Sequence, residues 1–455
     1  MIQSDCFSLD DLSRLTGEPP DRLLAWREAG LLGCDEDGFR QEDIGKARLI
    51  HDMLHYGHSL EAIASAAREP HSVFRHFLDE IAADLIRATY PVAEAAEKVG
   101  IDIAVVRRLI DVAGIGEHGD RVTDEDIDFL RSARIAMEAG LPEEALAQIL
   151  HVYADTMGRA AEVGARTSHF YIHQPIAESG PMTGEIMEQL EETFSRIEPL
   201  VEPALLYFHR KGMERARWED MLMHLEEEAG LTEKPDAPGQ VRRAILFTDL
   251  AGFTPLAEAM GDVRAAEVLE SFAAVVRHSV RHCHGRIVKQ IGDGFMIVFP
   301  ECYSAVSCAL ELEERACEQP QFPALRSGVH WGPVLYREGD YVGSNVNIAS
   351  RLAVEAGRHQ ILLTEEVWRR ARDLEGADFQ RLGKRRLKGI ANDIEVLEVR
   401  PAAGAAAARA VDPVCGMELG PGEVAAHLTL DGHEQCFCSE SCLRRFVASP
   451  HSYVA

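Results

Sequence analysis

Two aspartates stand beside glycines at the ends of β-rich runs. Asp249 lies in Phe247–Thr254 (FTDLAGFT) and Asp293 in Lys289–Gly294 (KQIGDG). Carboxylates at such turns can hold hard divalent cations over a polyphosphate. The turn after Asp249 carries Gly252 and opens a predicted helix, so backbone N–H groups near Phe253 and Thr254 offer a site for phosphate oxygens. Asn347 and Arg351 lie four apart on another predicted helix, which points both from one face. A second kind of chemistry is confined to the end of the chain, where Cys415, Cys436, Cys438 and Cys442 crowd together. The other cysteines, Cys6, Cys34, Cys283, Cys302, Cys308 and Cys317, are scattered. In a reducing compartment the cluster suggests metal or redox chemistry more than structural disulfides.

The elements that must position the aspartates are legible. Ala244–Leu250 is a β-branched and aromatic run containing Asp249 at its end, followed by one long predicted helix, Thr254–Val280. Arg286–Gln290 and Phe295–Phe299 read as strands around Gly292-Asp293-Gly294, a hairpin in which glycine supplies positive φ. A helix over Ala305–Ala316, a strand over Leu325–Tyr336, a helix over Ser344–Glu355 and a strand over Ile361–Thr364 follow. This β-α-β-β-α-β order indicates a ferredoxin-like core of the α+β class.

Five blocks, FTDLAGFT, KQIGDG, LRSGVHWGPV, GDYVGSNVNIASR and LKGI, occur in this order. Over essentially all of residues 241–400 the chain thereby resembles the catalytic domain of class III nucleotidyl cyclases. The resemblance implies attack of the ribose 3′-hydroxyl on the α-phosphorus with loss of pyrophosphate, on two Mg²⁺ or Mn²⁺ ions. It makes Asp249 and Asp293 the metal ligands, Asn347 the ribose-orienting group and Arg351 the group that stabilises charge on the transferring phosphate. Arg326 and Lys388 match positions that meet the β- and γ-phosphates, with Lys384, Arg385 and Arg386 as close alternatives to Lys388. Lys289 is a donor and Asp340 an acceptor, which complements the edge of adenine. Guanine reverses both edges, and in the family this pair goes with ATP. The implied site forms between two chains: one gives the aspartates, the other Lys289, Asp340, Asn347 and Arg351. With one such domain per chain, a homodimer is implied.

The chain has 455 residues and a net charge of −28, a prior for about three domains and against nucleic acid or anionic membranes unless a local basic patch overrides the total. No apolar run approaches the ~20 residues needed to span a bilayer. The N-terminus lacks the regions of a secretory signal, so a cytoplasmic location is expected. Upstream of the catalytic segment a pattern recurs. Ala29-Gly30 matches Ala113-Gly114, Asp43-Ile44 matches Asp126-Ile127, and Gly57 matches Gly140. A shift this constant suggests duplication. The first copy, FSLDDLSRLTGEPPDRLLAWREAGLLG with GFRQEDIGKARLIHDMLHYGHSLEAIA, resembles the winged helix-turn-helix of MerR-type regulators. Its reading helix carries Arg22 and Arg27 against Asp21 and Glu28, a balance that favours a sensor or dimer scaffold over a DNA reader. In the second copy Glu117-His118-Gly119-Asp120 replaces the wing.

A helical connector follows, with an apolar stripe at Met187, Leu190, Phe194, Ile197, Val201, Leu205 and Phe208, kinked by Pro199 and Pro203. The stripe suits either a parallel dimer seam or packing on its own domain. His169, Tyr171 and His173 read as alternate residues on one face of a strand. After a small-residue linker, DPVCGM and CFCSESC resemble the YHS domain, a small module associated with heavy-metal handling. There Cys415, Cys438 and Cys442 hold recurring positions and Cys436 is an extra thiol able to complete a zinc or other soft-metal site. The expected organisation is a MerR-like domain at 1–75, a degenerate repeat at 76–155, the connector at 156–240, the catalytic domain at 241–400, a linker at 401–410 and the cysteine module at 411–455. The leading expectation is an adenylate cyclase regulated by its flanking domains. The alternatives are a MerR-type DNA-binding regulator with a nucleotide-sensing cyclase domain, and a guanylate cyclase.

Overall fold

The structure is a computed structural model. It describes the chain except residues 1–6, 34–37, 69–73, 76–77, 79–80, 83–84, 86–88, 117–119, 179–183, 231–236, 403–408, 421 and 454–455, and the side chains of 177, 184, 187 and 226. Cys6, Cys34, most of the second wing segment, most of the 401–410 linker and the Met187 side chain therefore lie outside the described residues. Two compact units divide the chain, Met1–Thr232 and Glu233–Ala455.

The first unit is helical. Helices α1 (Leu9–Thr16), α2 (Pro20–Glu28), α3 (Glu42–His55) and α4 (Leu60–Arg68) close over Leu12, Leu23, Trp26, Phe39 and Ile50. Ser8 caps α1 with a reciprocal Ser8–Asp11 capping box, as its sequence asks. Strand β1 (Thr89–Pro91) pairs antiparallel with β2 (Arg121–Thr123) beside α5 (Val92–Val99), α6 (Ile103–Ala113), α7 (Asp124–Glu138) and the start of α8 (Glu143–Ser168), over a separate core of Ala95, Val106, Leu109, Ile127 and Leu130. The matched glycines Gly30, Gly114, Gly57 and Gly140 all have positive φ, so each recurring position ends a helix in the same way.

His169, Tyr171 and His173 are not on a strand. Residues His169–His173 form a π-helical turn that continues α8 into α9 (Gln174–Glu178). The aromatic run resembles a strand in composition, but the helix carries through it and stacks His169 on His173 at 5.2 Å. A 3₁₀ turn at Glu198–Leu200 separates α10 (Gly184–Ile197) from α11 (Val201–Glu228), where Pro199 and Pro203 predict a break. Of the connector stripe, Leu190 is buried, whereas Val201, Leu205 and Phe208 are exposed.

The second unit is built on a mixed sheet. Its elements are β3 (Gln240–Leu250), α12 (Phe253–Met260), α13 (Asp262–His282), β4 (Arg286–Ile291), β5 (Gly294–Phe299), α14 (Cys302–Glu318), β6 (Leu325–Arg337), β7 (Asp340–Val342), α15 (Ser344–Glu355), β8 (Gln360–Thr364), α16 (Glu365–Ala371), β9 (Ala377–Arg385) and β10 (Ile394–Pro401). The strand order is β4-β5-β3-β6-β8-β10-β9, with β7 folded back on β6. The expected long helix is broken at Gly261, whose φ of +80° ends α12 and turns the chain into α13.

Alternation along the strands fills two layers. Ala244, Leu246, Phe295, Ile297, Phe299 and Leu363 face α12, α13, α14 and α16. Ile245, Met296, Val298 and Leu362 face α15. α15 lies so close to β6 that a Cβ at Gly328 would sit 2.3 Å from the Ala353 nitrogen. A glycine is required there to seat the helix bearing Asn347 and Arg351. Strands β11 (Ala410–Val411), β12 (Glu418–Leu419), β13 (Ala426–Leu430), β14 (His433–Phe437) and helix α17 (Glu440–Ala448) form the C-terminal module, whose Met417, Phe437 and Phe446 continue the core of the α13–α14 layer.

Candidate active site

Strand register aligns the site. Asp249, at the end of β3, lies opposite Gly294 of β5 on one side and Arg326 of β6 on the other, and Arg326 is in turn opposite Gln360 of β8. The row Gly294–Asp249–Arg326–Gln360 thus crosses four neighbouring strands. Arg326 donates to Asp249 Oδ2 through Nε at 2.8 Å and through Nη2. Asp293 sits in the turn between β4 and β5, and its carbonyl accepts from Leu250 N at 3.4 Å. A Cβ at Gly294 would come within 3.1 Å of Asp249 Oδ1, so glycine keeps the space beside that carboxylate open. Burial and the charge of Asp249 push the Asp293 carboxyl above its usual range, against a weaker pull from Arg326. The negative charge of Asp249 beside the Asp293 carboxyl leaves room, in electrostatic terms, for a cation between them.

A second ion pair lies on the same unit. Lys289 of β4 donates to Asp340 Oδ2, while Oδ1 of Asp340 accepts from Tyr341 N at 2.8 Å. Asn347 and Arg351 are exposed together on α15. That helix is fixed by two residues the sequence motifs did not single out. His330 contacts Thr364 Oγ1 through Nδ1 and Asn345 Oδ1 through Nε2, both at 2.9 Å, and Asn345 Nδ2 donates to Pro333 O at 2.7 Å. Burial holds the His330 imidazole below its usual range, so it acts as a neutral donor and acceptor. Gly252, with φ of +84°, caps α12, whose first residues are Phe253 and Thr254. Lys388 is exposed in the turn after β9, anchored by buried Leu387 beneath α15.

Residues 239–398 match the family model of the adenylate and guanylate cyclase catalytic domain. The chain carries a class III nucleotidyl cyclase catalytic domain. Ahead of it, residues 7–69 match the MerR HTH family regulatory protein, so the cyclase has an N-terminal MerR-like region. It is 28% identical over 366 residues to a protein named pH-sensitive adenylate cyclase from Mycobacterium tuberculosis (strain CDC 1551 / Oshkosh), covering 78% of this chain and 88% of the relative. It is 28% identical over 280 residues to a protein named adenylate cyclase from Streptomyces coelicolor, covering 60% of this chain and 69% of the relative. Among solved structures, it is similar to an adenylate/guanylate cyclase/hydrolase from Silicibacter pomeroyi, at 26% identity and a TM-score of 0.34, over 36% of this chain and 98% of that one. No helix among the described residues is long and apolar enough to cross a membrane.

The C-terminal thiols of the cyclase form a second, separate cluster. Cys415 Sγ lies 3.5 Å from Cys438 Sγ, and Cys438 Sγ lies 3.6 Å from Cys442 Sγ, all buried. Cys436 does not join them. It lies on β14 opposite His427 of β13, and its sulfur is 3.8 Å from His427 Nδ1, while its neighbour Phe437 takes the core-facing side. The fourth member of the cluster is instead Asp412. This carboxylate is fully buried and accepts from Val414 N and Cys438 N at 2.8 Å and from Cys415 N at 3.3 Å. It therefore ties the two cysteine-bearing loops together. Contacts with Cys415 and Cys438 hold Cys442 down toward the thiolate, and contacts with Cys438 and Cys442 push Cys415 up.

Proposed function

We propose that the cyclase is an adenylate cyclase, converting ATP to 3′,5′-cyclic AMP and pyrophosphate at sites completed by a second copy of the chain. The observation that carries the choice of base is the Lys289–Asp340 pair, a cation and an anion held side by side. An ammonium donates to the ring nitrogen of adenine and a carboxylate accepts from its amino group, whereas guanine would leave both without a partner. Two relatives, each 28% identical to this chain over the matched residues, carry the name adenylate cyclase, which supports the same reading.

Asp249 and Asp293 would hold Mg²⁺ or Mn²⁺, and the raised Asp293 carboxyl fits residues that await positive charge. Such ions, when bound, neutralise the triphosphate and acidify the 3′-hydroxyl. The residues of the chain do the rest. Arg326 leaves Asp249 for the β- and γ-phosphate oxygens, with Lys388 beside it. Backbone N–H groups at Phe253 and Thr254 meet phosphate at the start of α12. Asn347 orients the ribose, and Arg351 offers its planar fork to charge developing on the transferring phosphate. In this reading one copy gives Asp249 and Asp293, and its partner gives Lys289, Asp340, Asn347 and Arg351.

The MerR-like region, its repeat and the connector would set how two copies meet. Arg22 pairs with Glu18 at 3.0 Å and Arg27 lies over the Phe39 ring at 5.6 Å, so both bases of α2 are engaged within the fold, which supports a scaffold over a DNA reader. In the C-terminal module Cys415, Cys438 and Cys442 would take Zn²⁺ or another thiophilic ion. The test is turnover by purified protein given ATP or GTP with Mn²⁺. Cyclic AMP from the wild type and none from Asp249→Ala is the expected result. No cyclic AMP, or unchanged activity in Asp249→Ala, refutes the proposal.

A further inference from the structure

The C-terminal module touches the catalytic unit at both segments that lead into the row of active-site residues. Arg409 Nη1 donates to Cys317 O at 2.9 Å and to Gln319 O at 3.0 Å, at the C-terminal end of α14. Glu418 N donates to Phe322 O at 3.3 Å, three residues before β6 begins. On the other side, Arg358 Nη2 donates to Gly416 O at 3.0 Å and to Glu418 Oε1 at 2.9 Å. His359 Nε2 donates to the same Glu418 oxygen at 2.6 Å, and His359 Nδ1 meets Glu313 of α14. Glu418 and Glu313 are both buried. Contacts with Cys317, Glu313 and Glu418 push the His359 imidazole up to about 12, so it stays a cation between two carboxylates.

His359 also reaches the site through its backbone. It holds the left-handed conformation, φ +58°, and its N–H donates to Leu325 O at 2.8 Å. The residue after Leu325 is Arg326 and the residue after His359 is Gln360, and these two are register partners. Glu418 therefore holds the turn that holds the strand carrying Arg326 beside Asp249.

We infer that Glu418 and His359 are positioning residues for Arg326, so that the C-terminal module is a working part of the catalytic site and not an appendage. The inference rests on the cyclase reading above, in which Arg326 meets the triphosphate. A misplacement of about 1 Å can cost a reaction about a hundredfold. Arg326 contacts phosphates already in the bound substrate, so loosening it weakens ground-state binding and raises KM for ATP more than it lowers kcat.

The experiment compares steady-state kinetics of full-length wild type, Glu418→Gln and Arg358→Gln with ATP and Mn²⁺. Glu418→Gln keeps the volume and removes the charge. We expect KM for ATP to rise about tenfold in Glu418→Gln and about threefold in Arg358→Gln, with smaller falls in kcat. A merely structural role lowers the folded fraction, which lowers apparent kcat and leaves KM alone. Arg358 is more exposed than Glu418, so its variant reports even where the first folds poorly. An active wild type with KM unchanged in both variants overturns the inference and leaves the cyclase reading standing. A wild type that makes no cyclic nucleotide overturns both.

Discussion

Exchanging the hydrogen-bonding sense of the Lys289–Asp340 pair should move the enzyme from ATP toward GTP. The perturbation is Lys289→Glu with Asp340→Asn. The structure favours asparagine at 340 because Oδ1 of Asp340 already accepts from Tyr341 N at 2.8 Å. An amide keeps that bond with its oxygen and presents N–H toward the base and the carboxylate introduced at 289. A buried donor or acceptor without a partner costs about 1–3 kcal/mol, and the wrong base leaves two. The side chains of Lys289 and Asp340 retain 42% and 33% of their exposure, so the lower end applies, about 2 kcal/mol for the pair. At about 1.4 kcal/mol per tenfold, that is about a thirtyfold preference for ATP in the wild type. The double variant should lose it and favour GTP by a similar factor. The assay is initial-rate kcat/KM with each nucleotide, with cyclic products separated by chromatography. A folded, active double variant that keeps the wild-type ATP:GTP ratio refutes the assignment of these two residues to the base.

Asp249→Ala and Arg351→Ala should each be inactive alone, yet an equal mixture should recover about a quarter of wild-type turnover, since half the dimers are mixed and each holds one intact site. No recovery after mixing and re-equilibration refutes the shared site. Asp293 titrates above its usual range in the fold, so its contribution to stability is full below the unfolded pKa and is lost as pH rises through the folded one. Asp293→Asn should therefore raise Tm of cation-free protein at neutral pH, by about 2–4 °C per kcal/mol relieved, while abolishing turnover; wild-type activity should fall on the acid side as Asp293 is protonated. For the C-terminal thiols, Cd²⁺ should give a thiolate charge-transfer band in wild type and Cys436→Ser, and lose it in Cys415→Ser or Cys442→Ser; equal loss in Cys436→Ser would restore the four-thiol site.

The catalytic strands were legible because alternation and glycine turns are local. Ser344–Glu355 ends where its sequence says it should, and the hairpin around Asp293 sits on its glycines. The break at Gly261 was hidden because Leu256, Met260, Val268 and Phe272 keep a helical period across it. The run at His169–His173 misled in the other direction, since aromatic residues favour strands only where a neighbouring strand receives them. Strand β9 is harder to read because it is an edge strand with mixed exposure and gives no clean period. In the C-terminal module, cysteine spacing located three of the thiols but could not exclude Cys436, which a strand pairing turns toward His427. Asp412 binds backbone N–H groups, and spacing rules for side chains do not register that role. The Glu418–His359 contact joins residues 59 apart in sequence, and no pattern within either segment announces it.

The charges of the catalytic unit fall into two kinds, and the difference fits their tasks. At the site, Asp249 pairs with Arg326 and Lys289 with Asp340, and all four side chains keep between 22% and 42% exposure. Partly exposed pairs are worth little, so they open cheaply when better partners arrive. A phosphate can replace Asp249 at Arg326, a cation can replace Arg326 at Asp249, and a purine edge can come between Lys289 and Asp340. Behind the site, the carboxylates of Glu313 and Glu418 that clasp His359 keep only 11% and 7%. Breaking a buried pair from one side strands the remaining charge and is strongly unfavourable. The clasp is thus made to stay closed while the pairs it steadies are made to exchange. That arrangement gives a reason for the C-terminal module to lie against the turn before β8, whatever its thiols bind.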